Sequence, residues 1–268
     1  MSPRMIRPFD REALRLQFQE AKPFPFITID DFLDPEFARE VAAAYPTYAE
    51  ARDRGHEFKA VNENKKAQIT DAATFPEPVK KLNDLLCAPS FMEDLEYITG
   101  IDKLLSDTEL RGGGMHLTGP RGRLDVHVDF NYDEPRKLHR RLNILLYLNE
   151  GWKDEWGGAV ELWDEKVRTR GHSFKPVLNR CVLFATSEIS FHGVEPVTCP
   201  KGEQRMSFAA YYYTKEAPEH WAGTKHTTVF KARPGERLRG HVLVPLQEAR
   251  DQVLSSARRA VRKLRGSR

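Results

Sequence analysis

Apolar positions along the chain follow one period in its first third and another beyond it. From Asp10 to Ala21, the residues Leu14, Leu16, Phe18 and Ala21 alternate with charges, and Asp10 stands where a helix cap belongs. Pro23-Phe24-Pro25-Phe26 breaks that helix. Phe26-Ile27-Thr28-Ile29 then has the β-branched and aromatic content of a short strand. Asp34-Pro35 opens a second helix, whose apolar stripe is Phe37, Val41, Ala44 and Tyr45. The segment 48–76 is polar and poorly periodic. It reads as a long surface connection and, at that length, as a candidate lid or substrate contact. Two more helices follow. Val79, Leu82, Leu85 and Leu86 mark Pro76 to Cys87; Phe91, Leu95 and Ile98 mark Ser90 to Thr99, with Gly100 as the cap.

From Leu104 the pattern becomes short strands separated by turns. Gly112-Gly113-Gly114 permits unusual backbone angles or a close approach, and it lacks the lysine and following helix of a phosphate loop. Met115-His116-Leu117 reads as a strand, Thr118 to Gly122 as a turn, and Leu124 to Asn131 as the next strand. Asn131 to Arg141 reads as a charged loop. Leu142 to Asn149 is apolar on both faces and therefore central. Gly157 to Trp163, Arg180 to Phe184, Met206 to Tyr213 and Thr227 to Ala232 complete the series. About eight short strands with tight turns predict a mainly β chain with flanking helices, in the α+β class. Its core is expected to be a two-sheet jelly roll, the double-stranded β-helix shared with cupins. We read one domain over 1–268, with a helical buttress at about 8–100 and the core at about 104–233. A C-terminal basic helix is expected at about 245–265. Leu246, Ala249, Val253, Ala257, Val261 and Leu264 form the apolar face of that helix; Arg250, Arg258, Arg259, Arg262 and Lys263 lie opposite. The expectation is that it covers its own domain rather than a membrane.

Charge and cysteines narrow the setting. The 42 basic and 39 acidic residues leave a net charge of +3, against the strong basic excess of a nucleic-acid binder. Cys87, Cys181 and Cys199 are too few and too scattered for a disulfide framework and are expected as reduced thiols. The first residues lack the apolar stretch of a signal peptide, and no apolar run nears the roughly 20 residues of a membrane span. A soluble cytoplasmic protein is expected.

One strand carries the chemistry. Residues two apart in a strand share a face, so His127 and Asp129 aim an imidazole and a carboxylate in one direction. His192, at the end of an apolar run and beside Gly193, offers a third donor. Two histidines and one carboxylate on one side of a metal form the facial triad of non-haem Fe(II) oxygenases.

His127-x-Asp129, His192 and, thirteen residues later, Arg205-x-Ser207 resemble the 2-oxoglutarate/Fe(II)-dependent dioxygenases. The resemblance is to their prolyl 4-hydroxylase-like branch and spans roughly Phe24 to Tyr213. It implies Fe(II) held by His127, Asp129 and His192, with 2-oxoglutarate and dioxygen as cosubstrates and ascorbate as an accessory reductant. It also implies that Arg205 pairs with the far carboxylate of 2-oxoglutarate, since a guanidinium grips a carboxylate through two parallel hydrogen bonds. Ser207 and Tyr147 would add hydroxyls there, and His116 would line the cosubstrate pocket. The reaction implied is oxidative decarboxylation of 2-oxoglutarate to succinate and CO₂, coupled to hydroxylation of a substrate C–H bond. Family members that halogenate lack the carboxylate that Asp129 supplies, so its presence points to hydroxylation. The substrate is a prolyl or other peptidyl residue, or a free small molecule. Lys137, Arg140 and Arg141, in the loop from Arg136 to Arg141, would favour an acidic one. The other histidines, His56, His139, His172, His220, His226 and His241, have no partner at ligand spacing and are expected to be structural or exposed. Two other readings stay open from the residues: a cupin-like metal-binding module without redox activity, and a surface- or membrane-docking protein with a vestigial site.

Overall fold

A computed structural model describes residues 5–219 and 221–236. The expected C-terminal helix, His220 and His241 lie outside the described residues. In chain order, the first part contains α1 (Arg11–Glu20), β1 (Phe26–Ile29), α2 (Pro35–Ala43), α3 (Tyr48–Arg54), β2 (His56–Lys59) and β3 (Glu63–Ile69). Next come α4 (Glu77–Leu86), α5 (Pro89–Thr99), β4 (Leu105–Ser106), β5 (Gly114–Val128), β6 (Tyr132–Asp133) and β7 (Leu138–Tyr147). The last strands are β8 (Val160–Trp163), β9 (Arg170–Phe174), β10 (Cys181–Ala185), β11 (His192–Val194), β12 (Arg205–Thr214) and β13 (Val229–Lys231). Among the described residues no helix is long and apolar enough to cross a membrane.

The helices start where their caps dictate. Asp10 accepts from the amides of Glu12 and Ala13, and Asp34 from those of Glu36 and Phe37. Gly100 closes α5 in the left-handed conformation at φ 69°.

The strands form one antiparallel sheet in the order β1-β10-β7-β12-β5-β11-β8-β9, with β3 and β13 also paired to β5. The sheet curls, because residues from β3, β5, β7, β10, β11 and β12 line a single cavity. This is the jelly-roll core the strand pattern predicts, with β5 joining its two halves. The first half of β5 pairs with β12 over Gly114 to Thr118. Its second half pairs with β11 and β13. The turn expected at Thr118 to Gly122 is instead an excursion within β5, with Arg121 at φ 65°. Gly114 has φ 84°, and a Cβ there would collide with the Ile69 carbonyl on β3, so the third glycine of the run serves close approach.

Alternation along the central strands separates two environments. Leu142, Ile144 and Leu146 of β7, Phe208, Ala210 and Tyr212 of β12, and Met115 and Leu117 of β5 face outward into the main core. There they meet Leu14 and Phe18 of α1, Phe37 and Val41 of α2, Val79, Leu82 and Leu86 of α4, and Phe91, Leu95 and Ile98 of α5. The intervening residues of the same strands face the barrel interior. Helical packing on one face thus fixes which side chains point at the cavity.

Two expectations fail. The polar segment 48–76 is not a loop. It folds as α3 and the β2–β3 hairpin, which extends the sheet through β3. Its strands read as polar because Phe58, Glu63, Lys66 and Gln68 face the cavity rather than an apolar core. The charged stretch 131–141 is also structured: β6 pairs with the start of β7, which begins four residues earlier than the apolar pattern suggests.

Asn179, just before β10, ties the N-terminal segment to the sheet. Its side chain accepts from the Leu33 amide and donates to the Leu33 carbonyl, both at 2.8 Å, and it is 4% exposed. Its φ of 65° suits asparagine better than most residues. Asn179→Ala should therefore lower unfolding stability by about 2 kcal/mol, because two buried backbone groups lose their partner. Denaturant unfolding of the two proteins measures the difference.

Candidate active site

The three expected metal donors converge. His127 lies near the end of β5, Asp129 one residue past it, and His192 opens β11, paired directly opposite His127. The two imidazole centroids are 4.3 Å apart. Each ring is oriented the same way: its Nδ1 lies 2.9 Å from a backbone carbonyl two residues back, Asp125 for His127 and Ser190 for His192. That bond places the ring proton on Nδ1 and leaves the Nε2 lone pair for a ligand. His127 Nε2 lies 3.5 Å from Asp129 Oδ1, and His192 Nε2 lies 3.4 Å from Oδ2. One donor atom from each residue fits within 4.8 Å of the others, and among the described residues this is the one such group of three or more.

The protonation states suit a metal. Burial alone would raise the Asp129 carboxyl, but the Arg140 guanidinium and the two histidines outweigh it and hold it well below the usual carboxylate range. Burial, then the neighbouring His127, pushes His192 below its ordinary value, so the ring is neutral near neutral pH. Two imidazole nitrogens and one carboxylate fit Fe(II) and leave coordination positions on the cavity side.

The cavity, about 270 Å³, runs from this triad to a second polar group. Ser207 of β12 pairs with Tyr147 of β7 on one side and with His116 of β5 on the other; Ser207 and His116 line the cavity, and Tyr147 packs beside it against Val160 and Phe184. Arg205, two residues earlier, is 4% exposed. Its Nε donates to the Gly158 carbonyl at 2.6 Å and its NH1 to Ser207 Oγ at 3.4 Å. Its Cζ lies 4.9 Å from the Tyr147 ring centroid. Among the described residues no carboxylate pairs with it. Burial lowers its pKa, with only Tyr147 opposing. The Tyr147 hydroxyl is itself buried without a hydrogen bond of normal geometry. Burial pushes the phenol up to about 12, while the charge of Arg205 pulls the other way. A buried cation and a buried phenol without an anion form a cradle for a carboxylate. His116 lines the cavity with its Nε2 3.0 Å from the Gly112 carbonyl, and burial keeps it neutral.

Several residues of the site escaped the sequence reading. Asn143 and Arg140 both reach Asp129, and Thr228 and Phe230 close the outer side of the cavity. The Phe230 ring lies 5.4 Å from that of His127. Within the basic stretch 136–141, Arg140 lines the cavity, and the three arginines all have partners within the chain. Arg136 is held by Asp107 and Asp133, both at 2.6 Å, Arg140 by Asp129, and Arg141 donates to Thr214. Of the remaining described histidines, His226 pairs with Glu188 at 2.7 Å and His139 packs on Tyr132 and Trp221.

Residues 113–213 match the model of the 2OG-Fe(II) oxygenase superfamily. That segment holds the triad, Tyr147, Arg205 and Ser207. The chain is also 25% identical over 217 residues to a prolyl 3,4-dihydroxylase, OGFOD1, of Ostreococcus tauri. The match covers 72% of this chain and 38% of that relative, so the chain spans well under half the relative's length. In fold it is similar to a prolyl hydroxylase of Trichoplax adhaerens solved with a hypoxia inducible factor peptide. There the TM-score is 0.54 at 17% identity, covering 76% of this chain and 90% of that one. It is similar as well to SnoK, a non-heme alpha ketoglutarate dependent carbocyclase of nogalamycin biosynthesis. That TM-score is 0.55 at 15% identity, covering 90% and 93%.

Asp129→Ala removes one donor of an open three-donor site. Losing a group that merely supports a ligand costs up to about 100-fold in metal affinity. The variant should lose more than that for Fe(II) or Mn(II), while keeping its far-ultraviolet circular dichroism. A metal titration under anaerobic conditions gives the ratio.

Proposed function

We propose that this chain is a 2-oxoglutarate- and Fe(II)-dependent hydroxylase. The observation that carries the reading is Arg205: a buried guanidinium without a carboxylate partner among the described residues, on the wall of the cavity that also holds the triad. A metal-binding module without redox chemistry has no use for such a group. Fe(II) with 2-oxoglutarate and dioxygen supplies the oxidising power, and succinate and CO₂ leave as coproducts. His127, Asp129 and His192 hold the metal, and their backbone-anchored Nδ1 protons keep both Nε2 atoms turned to it. Arg205 receives the distal carboxylate of the cosubstrate, with the Ser207 and Tyr147 hydroxyls beside it. His116 stays neutral and walls the same pocket. Phe130, Phe184, Tyr211 and Phe230 keep the space around the metal apolar, which suits attack on a C–H bond.

For the substrate we propose a peptidyl residue, proline first. Support comes from the prolyl 3,4-dihydroxylase relative. A reducing compartment such as the cytoplasm is our reading of the setting, supported by the free thiols of Cys87, Cys181 and Cys199. Succinate release, with mass spectrometry of proline-containing peptides against free amino acids, tests the substrate.

Arg205 separates this reading from an inert metal module. Removing one partner of a buried charge pair costs about 3–5 kcal/mol, or roughly two to four powers of ten in affinity. Arg205→Ala should raise the 2-oxoglutarate dissociation constant by that amount and leave Fe(II) affinity near that of the wild type. Arg205→Lys should recover only part, because an ammonium lacks the planar fork. Parallel titrations of metal and cosubstrate decide it. An unchanged 2-oxoglutarate affinity removes Arg205 from the site.

A further inference from the structure

Arg140 and Asn143 are three residues apart on β7, so simple alternation would put them on opposite faces. Their side chains nevertheless meet. The register between β7 and β12 shifts at one point: Tyr212 pairs with Leu142, but Tyr213 pairs with Arg140. Arg141 is the extra residue of a bulge, which turns Arg140 onto the inward face with Asn143, Tyr211 and Tyr213. There the Arg140 side chain is 3% exposed. Its Cζ lies 3.5 Å from the Tyr211 ring centroid and 4.7 Å from that of Phe130, so aromatic faces hold it.

Both polar side chains converge on one atom. Asn143 Nδ2 donates to Asp129 Oδ2 at 2.7 Å, and Arg140 NH2 lies 3.0 Å from the same oxygen. Arg140 Nε donates to Asn143 Oδ1 at 2.9 Å, which closes a triangle. Oδ1 faces His127 Nε2 at 3.5 Å and has no second polar contact of this kind, whereas Oδ2 carries both of these contacts in addition to lying 3.4 Å from His192 Nε2. A carboxylate can bind a metal through one oxygen or through both. Used through both, Asp129 would take a coordination position that the open side of a facial triad must keep free. A guanidinium so near also repels a divalent cation, so this cation does not serve metal affinity.

We propose that Arg140, carried inward by the β7 bulge, is a positioning residue that keeps Asp129 a one-oxygen ligand. By engaging Oδ2 together with Asn143, it reserves Oδ1 for the metal and preserves the position that 2-oxoglutarate needs. This inference rests on the oxygenase reading above.

The full chain, wild type and variants, is titrated anaerobically with Mn(II), then with Fe(II) and 2-oxoglutarate, and its metal-free thermal midpoint is recorded. Arg140→Gln should bind Mn(II) as tightly as wild type or more tightly. Its 2-oxoglutarate dissociation constant should rise about tenfold or more, as expected when the close ion pair with Asp129 is lost. The visible absorption band of the Fe(II)–2-oxoglutarate chelate should weaken in parallel. Arg140→Lys should restore most of the band. Asn143→Ser, which removes one Oδ2 contact and leaves the charge, should shift 2-oxoglutarate binding in the same sense by less, and it carries the test if Arg140→Gln does not fold. A parallel loss of metal affinity, cosubstrate affinity and thermal midpoint in Arg140→Gln, not relieved by lysine, would assign Arg140 a merely structural role and overturn the proposal. Unchanged 2-oxoglutarate affinity and an unchanged band would overturn it too. A wild-type protein that binds neither Mn(II) nor 2-oxoglutarate would overturn the oxygenase reading first, and this inference with it.

Discussion

His192 stands directly across the β5–β11 ladder from His127, and the rest of the site takes its place from that pairing. Strand β11 is only three residues long, yet it is held on both sides, by β5 and by β8, where His192 opposes Leu162. Gly193 makes the approach possible, since a Cβ there would press on Val126 of β5 at about 3.1 Å. Beside the ladder, the buried carboxylates Asp125 and Glu161 are tied to more exposed charges. Arg233 donates to Glu161 at 2.7 Å and to the carbonyls of Leu124 and Val194. Arg123 joins Asp125 to Glu236, and Arg170 joins Glu161 to Glu195. The carbonyl that orients His127 belongs to Asp125, so the network beside the ladder also fixes the tautomer of that ring.

Two buried arginines divide the barrel interior between them, and their difference is informative. Arg140 has its anion within the chain: Asp129, at 3.0 Å. Arg205 has a carbonyl and a hydroxyl but no carboxylate among the described residues. A buried cation that lacks an anion costs stability, and the fold offsets that cost elsewhere, in the large helical core on the other face of the same strands. The arrangement also keeps the two cations from acting alike. Arg140 engages the metal carboxylate, and Arg205 stands free for an external anion on the same cavity wall.

How much of this is legible in the sequence depends on whether a side chain obeys the period of its strand. His127, Asp129, Arg205 and Ser207 do, since i, i+2 spacing places each pair on the inward face, and the helices betray themselves by caps and stripes. Arg140 does not, because the bulge at Arg141 breaks the alternation that a sequence reader must assume. In the sequence Arg140 and Arg141 look equivalent, two basic residues in a charged run. In the fold one is clamped against a metal ligand and the other donates to Thr214. The β2–β3 hairpin was hidden for a related reason. A strand whose inward face lines a polar cavity has no apolar stripe, so periodicity reports a loop.

The mouth of the cavity shows the same limit at longer range. Its lining includes Phe58, Glu63 and Lys66 of the hairpin together with Thr228 and Phe230 of the segment that follows β12. That segment is fastened along its length. Trp221 stacks on Tyr132, Lys225 pairs with Glu134, and His226 with Glu188; β13 pairs with β5, and Arg233 anchors the far end. More than 150 residues of chain separate Lys66 from Thr228, and nothing in either stretch announces the other. Metal and cosubstrate groups come from strands whose register is set by the core, so their spacing survives in the sequence as a motif. The rim comes from segments joined only by tertiary contacts. The donor set of the triad can therefore be read from residue spacing, while the shape of the cavity is expressed only once the chain has folded.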